Sequence, residues 1–130
     1  MAGGPGAYAV GIASIDALHA ELEERLAALT EAGDEPQAAL AALQDHLQRH
    51  FGHEEALMEQ SGFPMAECHA REHLSVVEVV TEVQRLLEQG DAAPLGRLAP
   101  AMLEWFGVHA ASMDAALASF LKRTSATAGS

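Results

Sequence analysis

The segment HFGHEE, residues 50–55, contains a histidine and a glutamate that are four positions apart. In a helix this spacing puts His50 and Glu54 on one face, about 6 Å apart, so the two side chains can bind one metal ion together. His69 and His73 have the same spacing. Because imidazole with carboxylate suits iron, the spacing predicts a metal site.

The face that carries His50 and Glu54 is predicted to be buried. On a helical wheel Leu43, Leu47 and Leu57 fall within about 60° of His50. A carboxylate buried there without a partner would cost several kcal/mol, so Glu54 needs a compensating cation. A metal ion would supply that charge.

Each of four predicted helices carries at least one inward histidine. A single one would be more simply a core residue bonded to a backbone carbonyl, but five of them with two inward carboxylates favour a metal centre. The candidate ligands are His19, His50, Glu54, His69, His73, His109 and Asp114. Seven ligands are too many for one ion, and the lack of a cysteine cluster argues against structural zinc. We therefore predict two non-heme iron ions, bridged by the carboxylates and an oxo or hydroxo oxygen, with an open position on one for a diatomic molecule.

The spacing of His109 and Asp114 leaves two arrangements open. Five positions in an α-helix separate two side chains by about 140°, too far for simple pairing. Either a wide turn of the π type brings the two side chains together, or they approach a two-metal cluster from different sides. The second arrangement is the one we predict.

The elements that position these residues are amphipathic helices. Apolar residues make up 49% of the 130-residue chain and aromatic residues only 5%, which favours an all-α fold. Three helices are predicted at about 16–32, from Pro36 to before Ser61, and from about Ala66 to before Gly90. The fourth predicted helix runs through Phe120. It starts either near Pro94, with a kink at Pro100, or at Pro100 itself. Short connections favour an up-down-up-down four-helix bundle. We predict an N-terminal arm at 1–15, the bundle at 16–122 and a flexible tail at 123–130.

Charge and cysteine content exclude several classes of partner. The formal net charge of −12 would repel nucleic acid and anionic membranes. Cys68 is the only cysteine, which fits a reducing compartment. No segment resembles a signal peptide or a membrane span, so we predict a cytoplasmic protein.

Four motifs resemble those of the bacterial hemerythrin family, over about residues 8–121. The matching segments are GIASIDALH at 11–19, HFGHEEALM at 50–58, GFPMAECHAREH at 62–73 and WFGVHAASMD at 105–114. The resemblance implies that His69, His73 and His109 hold one iron, that His19 and His50 hold the other, and that Glu54 and Asp114 bridge them. It also implies a four-helix bundle that binds dioxygen reversibly, as an oxygen carrier, store or delivery protein.

An apolar pocket beside the ligands is expected from Phe51, Trp105, Phe106 and Ala110. No acidic side chain is evident there to protonate and cleave the O–O bond, which favours reversible binding. Family members usually carry a bulky aliphatic residue where this chain has Ala110, so we expect a more open pocket and faster autoxidation. Tyr8 stands where a tryptophan is common.

Several other residues are interpreted as bystanders. His46 and His53 lie at the edge of the apolar stripe, where solvation is the expected environment, and Glu55 points about 100° away from Glu54 towards solvent. Met58, Met102 and Met113 are interpreted as core residues, and Cys68 as a small packing residue.

An enzyme is the alternative to an oxygen-binding protein. A di-iron peroxidase or a nitric-oxide-handling protein would use the same open iron, with peroxide or nitric oxide in place of dioxygen. A metal-storage or purely structural bundle is the third interpretation. The sequence does not identify a protein partner.

Overall fold

The computed structural model describes residues 8–33 and 35–128, the last four of them by their backbone alone. Nearly all of these residues are helical, and none of them forms a strand. The helices are α1 (Ala13–Thr30), α2 (Pro36–Ser61), α3 (Ala66–Glu88), α4 (Ala93–His109) and α5 (Ala115–Ala128), with a five-residue π-helical segment (Ala110–Asp114) between α4 and α5.

Four rods result, because α4, the π segment and α5 are one continuous helical run. In sequence order each rod packs on the next, and α4 closes the ring against α1. Short connections make neighbouring rods antiparallel. The predicted all-α, up-down-up-down bundle is confirmed.

Helix boundaries follow local signals in most places. Pro36 occupies the first turn of α2, where its missing N–H is tolerated, and Gly62 ends that helix at φ +71°. The predicted bounds of α2 and α3 are confirmed within a residue or two, whereas α1 begins three residues before the predicted start. The fourth rod begins at Ala93 and passes through Pro100, so the start near Pro94 is the confirmed alternative.

Two hydrophobic clusters fill the bundle. The larger one contains Leu22 and Leu26 of α1 and their neighbours on the other rods. The smaller one consists of Ile15, Met58, Phe63 and Leu117. Along the rods the candidate ligands lie where the larger cluster meets the smaller one, so the polar groups form one layer with apolar packing on either side.

The N-terminal arm packs on the bundle from Tyr8 onward. The Tyr8 ring lies on Phe106, with 4.4 Å between ring centroids. The Asp16 carboxylate accepts hydrogen bonds from the backbone N–H of Val10 (2.6 Å) and of Gly11 (3.2 Å). Lys122 Nζ donates to the carbonyl of Val10 (2.8 Å), which ties the arm to the last helix.

The predicted domain limits lie partly outside the described residues. Residues 1–7 of the arm, together with 129 and 130 of the tail, belong to that part. α5 continues to Ala128, past the predicted start of the tail at 123, and the flexibility of the tail stays a prediction. Among the described helices none is long and apolar enough to cross a membrane.

Candidate metal centre

The seven candidate ligands meet in one buried layer, where each is at most 2% exposed. Their donor atoms fall into two groups, in each of which all the atoms lie within 4.8 Å of one another. One group is Glu54, His69, His73, His109 and Asp114, and the other is His19, His50, Glu54 and Asp114. The two carboxylates are thus common to both groups.

Glu54 lies between the imidazoles of three helices. Its Oε2 is 2.9 Å from His50 Nε2, one turn earlier on α2, and 3.6 Å from His19 Nε2 on α1. Its Oε1 is 3.2 Å from His73 Nε2 and 3.4 Å from His69 Nε2 on α3. Each carboxylate oxygen therefore faces a different group of histidines.

Asp114 repeats this arrangement from the opposite rod. Its Oδ1 lies 3.0 Å from His69 Nε2 and 3.1 Å from His109 Nε2. Its Oδ2 lies 2.9 Å from His19 Nε2. Like Glu54, Asp114 turns its two oxygens towards different histidines.

The π segment explains how His109 and Asp114 come together. An α-helix would separate them by about 140°, but the wider turn of residues 110–114 aligns both side chains with the centre. The arrangement that we favoured from the sequence, two separate approaches from a regular helix, is wrong. The π turn was the correct alternative.

The outer nitrogens of three imidazoles have hydrogen-bond acceptors. His19 Nδ1–H donates to the Tyr8 carbonyl (2.8 Å), His73 Nδ1–H to Glu55 Oε2 (3.0 Å) and His109 Nδ1–H to Glu72 Oε1 (2.7 Å). A neutral imidazole carries one N–H, so a proton on Nδ1 leaves the Nε2 lone pair facing the centre. Neither Glu72 nor the Tyr8 carbonyl was predicted from the sequence as a partner of these histidines.

His46 was wrongly predicted to be solvated. It is fully buried, with its Nε2 2.9 Å from His50 Nδ1 and its Nδ1 3.1 Å from Glu21 Oε2 on α1. Burial lowers the pKa of His46 to about 4, because it disfavours the charged ring more than the nearby Glu21 carboxylate stabilises it. His53 is different, because it lies partly exposed outside the cluster and bonds to Ser14 Oγ (2.8 Å).

Three smaller expectations need correction. Glu55 is only half exposed, because its carboxylate reaches back to His73. Cys68 is exposed and is not a packing residue. Met58 and Met102 are buried as predicted, but the π turn leaves Met113 half-buried.

Charge in the cluster is concentrated on the two carboxylates. Burial opposes ionisation, yet the surrounding imidazoles hold the pKa of Glu54 and of Asp114 well below the usual range. Burial also opposes an imidazolium, yet Asp114 and Glu54 raise the pKa of His19 to about 10 and that of His69 to about 9. The buried carboxylates therefore require positive charge beside them, whether as protons or as metal ions.

The donor set fits metal ions better than protons. Glu54 Oε1, His73 Nε2 and Asp114 Oδ1 are buried without a hydrogen bond, although each lies within about 3.2 Å of another donor atom of the cluster. His109 Nε2, a lone-pair nitrogen, lies 3.1 Å from His69 Nε2. Some of these side chains also form hydrogen bonds with one another, as His19 Nε2 does with Asp114 Oδ2 (2.9 Å). All of their donor atoms nevertheless converge into two groups, which is what cations coordinated between them require.

Aromatic rings cover the imidazoles. Phe51 stacks on His73 at 3.9 Å between ring centroids, and Trp105 stacks on His109 at 4.4 Å. The edge of Phe106 meets His19 at 4.9 Å. Three of the four residues predicted for the oxygen pocket thus contact candidate ligands.

Ala110, the fourth residue of that set, is buried on the side of the N-terminal arm. It lines a cavity of about 460 Å³ together with residues of the arm and of the fourth rod: Tyr8, Ala9, Val10, Gly107, Ala111 and Ala115. None of the seven candidate ligands is among these residues. Any role of Ala110 in ligand access would therefore act through this neighbouring cavity.

Comparison with known proteins identifies similar sequences. The family model described as "Hemerythrin HHE cation binding domain" matches residues 10–121. A protein named bacteriohemerythrin, from Ralstonia nicotianae, is 36% identical over 113 residues, which cover 86% of this chain and 82% of the relative. No solved structure gives a significant match.

Proposed function

The chain belongs to the hemerythrin family, and from this membership we propose that its buried cluster binds two iron ions and, so loaded, binds dioxygen reversibly. One observation carries the proposal: two groups of donor atoms share the same two carboxylates. Such sharing is what two adjacent ions bridged by carboxylates require. The imidazole-rich donor set, which suits iron, and the name of the similar protein also support the proposal.

We assign three imidazoles to one ion, those of His69, His73 and His109, and two to the other, those of His19 and His50. Glu54 and Asp114 bridge in this assignment. Because the second group has fewer donors, it keeps a position for a diatomic ligand. Two ferrous ions would supply the two electrons that binding of dioxygen needs.

The protein's own residues favour release of the ligand intact. Protons on the imidazoles of His19, His73 and His109 are held at Nδ1, on the far side of each ring from the cluster. The aromatic rings of Phe51 and Trp105 cover the imidazoles of His73 and His109 and keep water from those ring faces. With few protons and little water at the centre, cleavage of the O–O bond is disfavoured.

The decisive experiment is a cycle of oxygenation. The metal-free protein is loaded anaerobically with two equivalents of ferrous iron, exposed to air and then flushed with argon, while visible absorption is recorded. We expect a charge-transfer band that appears in air, disappears under argon and returns over repeated cycles. A band that never forms, or that argon does not reverse, would contradict reversible binding.

A di-iron enzyme is the second candidate, and the cavity beside Ala110 favours it because it offers room for water or peroxide near the fourth rod. The loaded protein would then consume hydrogen peroxide or nitric oxide over many turnovers. Stoichiometric binding without turnover would support the carrier. A storage bundle would give no oxygen-dependent band, and a cytoplasmic location stays a prediction.

The substitution Ala110→Leu tests access through the cavity. A leucine side chain would fill part of the 460 Å³ space, so we expect slower entry of water and a several-fold slower loss of the oxygen-dependent band in air. Ala101→Leu, the same change at an exposed position of α4, is the control and should leave the rate unchanged. Equal decay rates in all three proteins would show that Ala110 does not control access.

A further inference from the structure

A chain of contacts links the protein surface to His50. The Glu21 carboxylate of α1 is 26% exposed, and Arg49 Nη2 donates to its Oε2 at 2.6 Å. The same oxygen lies 3.1 Å from Nδ1 of the buried His46. His46 Nε2 in turn lies 2.9 Å from His50 Nδ1. His46 therefore stands between a surface carboxylate and a candidate metal ligand.

The carboxylate determines where the protons of this chain lie. The ionised Glu21 has no proton to donate and its oxygen lies 3.1 Å from His46 Nδ1, so a neutral His46 carries its proton on that nitrogen, although the two groups are not aligned as a hydrogen bond. The bare Nε2 of His46 then accepts from His50 Nδ1–H. The opposite assignment would place the lone pair of His46 Nδ1 against a carboxylate, which is repulsive.

We propose that His46 is a positioning residue: held by Glu21, it fixes the proton of His50 on Nδ1 and so directs the Nε2 lone pair to the metal. The inference deepens the proposed function, since it presumes a metal ion at the group of His19 and His50. A fixed tautomer and ring orientation raise the affinity of a histidine for metal.

This support differs from that of the other histidines. The outer nitrogens of His19, His73 and His109 each meet an oxygen acceptor directly. His50 depends instead on a second imidazole, which is itself oriented by Glu21 on a different helix. Because α1 also supplies His19, the contact between Glu21 and His46 joins the two helices that provide both imidazoles of the smaller group.

A selective effect on one metal ion is the consequence. The group of His69, His73 and His109 has no contact with His46 among the described hydrogen bonds, so it should keep its affinity. The smaller group has only two imidazoles, so a misoriented His50 weakens one of the two imidazole bonds to its metal ion. Removing His46 should thus convert a protein that binds two ions into one that binds a single ion tightly.

The test is a titration with Co²⁺, followed by its visible absorption, on the full chain. Wild type should bind two ions, whereas His46→Leu should bind the second one about 10- to 100-fold more weakly, the range for loss of an outer partner of a ligand. His46→Gln should recover most of the affinity, because its amide oxygen can accept from His50 Nδ1–H while its NH₂ group faces Glu21. Packing alone would favour leucine over glutamine.

Controls separate the alternatives. His53→Leu changes a histidine of the same helix that bonds to Ser14, and it should leave both affinities unchanged. Glu21→Ala removes a partly exposed side chain and leaves the buried side chains in place. It should weaken the second ion, and it tests the proposal if His46→Leu does not fold. Helix content of each metal-free variant is checked by circular dichroism.

The outcomes that overturn the proposal are distinct. Two tight ions in His46→Leu, or in Glu21→Ala if only that variant folds, would refute the positioning role and leave the proposed function standing. Equal loss in His46→Leu and His46→Gln would refute the role of the hydrogen bond. Fewer than two ions in the wild type would overturn both the inference and the two-metal assignment on which it rests.

Discussion

Glu54→Gln should retain less than one iron per chain after reconstitution. The wild type should retain two, one for each of the two groups of ligands. The carboxylate oxygens of Glu54 lie within 3.6 Å of four imidazole nitrogens, and no other residue except Asp114 belongs to both groups. An amide removes the negative charge and turns one oxygen into an N–H donor that points at the metal. We expect the affinity for iron to fall by more than about 100-fold. Loss of a residue that only hydrogen-bonds to a ligand lowers metal affinity by about 10- to 100-fold.

The neighbouring glutamate provides the matched control. Glu55→Gln makes the same chemical change one residue further, where the carboxylate only accepts a hydrogen bond from His73. It should lower metal affinity by about 10- to 100-fold at most, without loss of either group of ligands. Iron is measured per chain after gel filtration. Equal retention of iron in Glu54→Gln and the wild type would show that Glu54 does not bridge.

The metal-free protein should lose stability as the pH rises from about 6.5 to 10. The pKa of His19 is about 10 and that of His69 about 9 in the folded state, against about 6.5 in an unfolded chain. The folded state therefore binds more protons in this range, so the stabilisation is complete below pH 6.5 and is lost as these groups deprotonate. We expect the free energy of unfolding to fall by several kcal/mol.

Iron should abolish most of this dependence. When metal ions occupy Nε2 of both histidines, the folded state has no proton to release there, and the stability of the loaded protein stays nearly level from pH 6.5 to 10. Chemical unfolding followed by circular dichroism, with and without iron, measures the difference. His53→Gln, outside the cluster, serves as control and should behave as the wild type. A metal-free protein whose stability is constant or increases over this range would contradict the electrostatic account.

Residues on one helix were the most predictable part of the site. The spacing of four puts His50 with Glu54 and His69 with His73 on single faces in any regular helix. The flanking leucines and valines show which face is buried. The bundle and the convergence of the seven side chains follow from that pattern, because amphipathic rods can bury their apolar faces only against one another.

His46 shows where a helical wheel fails. A helical wheel assumes that the buried face of a helix coincides with its row of apolar residues. Because α2 packs against both α1 and α3, its buried face is wider than that row and includes His46. The contact with Glu21 depends on how α1 sits beside α2, which no single-helix pattern contains. For the same reason the pairing of Glu72 with His109, on different helices, could not be read from spacing.

The π segment was visible only as an alternative. A spacing of five is compatible with a regular helix that approaches two ions from different sides and with a wide turn that brings both side chains to one place. Periodicity does not distinguish the two, since the residues between His109 and Asp114 are small or flexible and fit either backbone.

The wide turn also sets the phase of everything that follows it. One additional residue in the turn rotates α5 relative to α4, and it is in this rotated position that Leu117 meets Ile15 and Met58 at the far end of the bundle. A deletion that restored regular helical hydrogen bonding would displace Asp114 and this apolar contact at the same time. Regularising the last rod to gain thermal resistance is therefore incompatible with keeping the buried carboxylate in place.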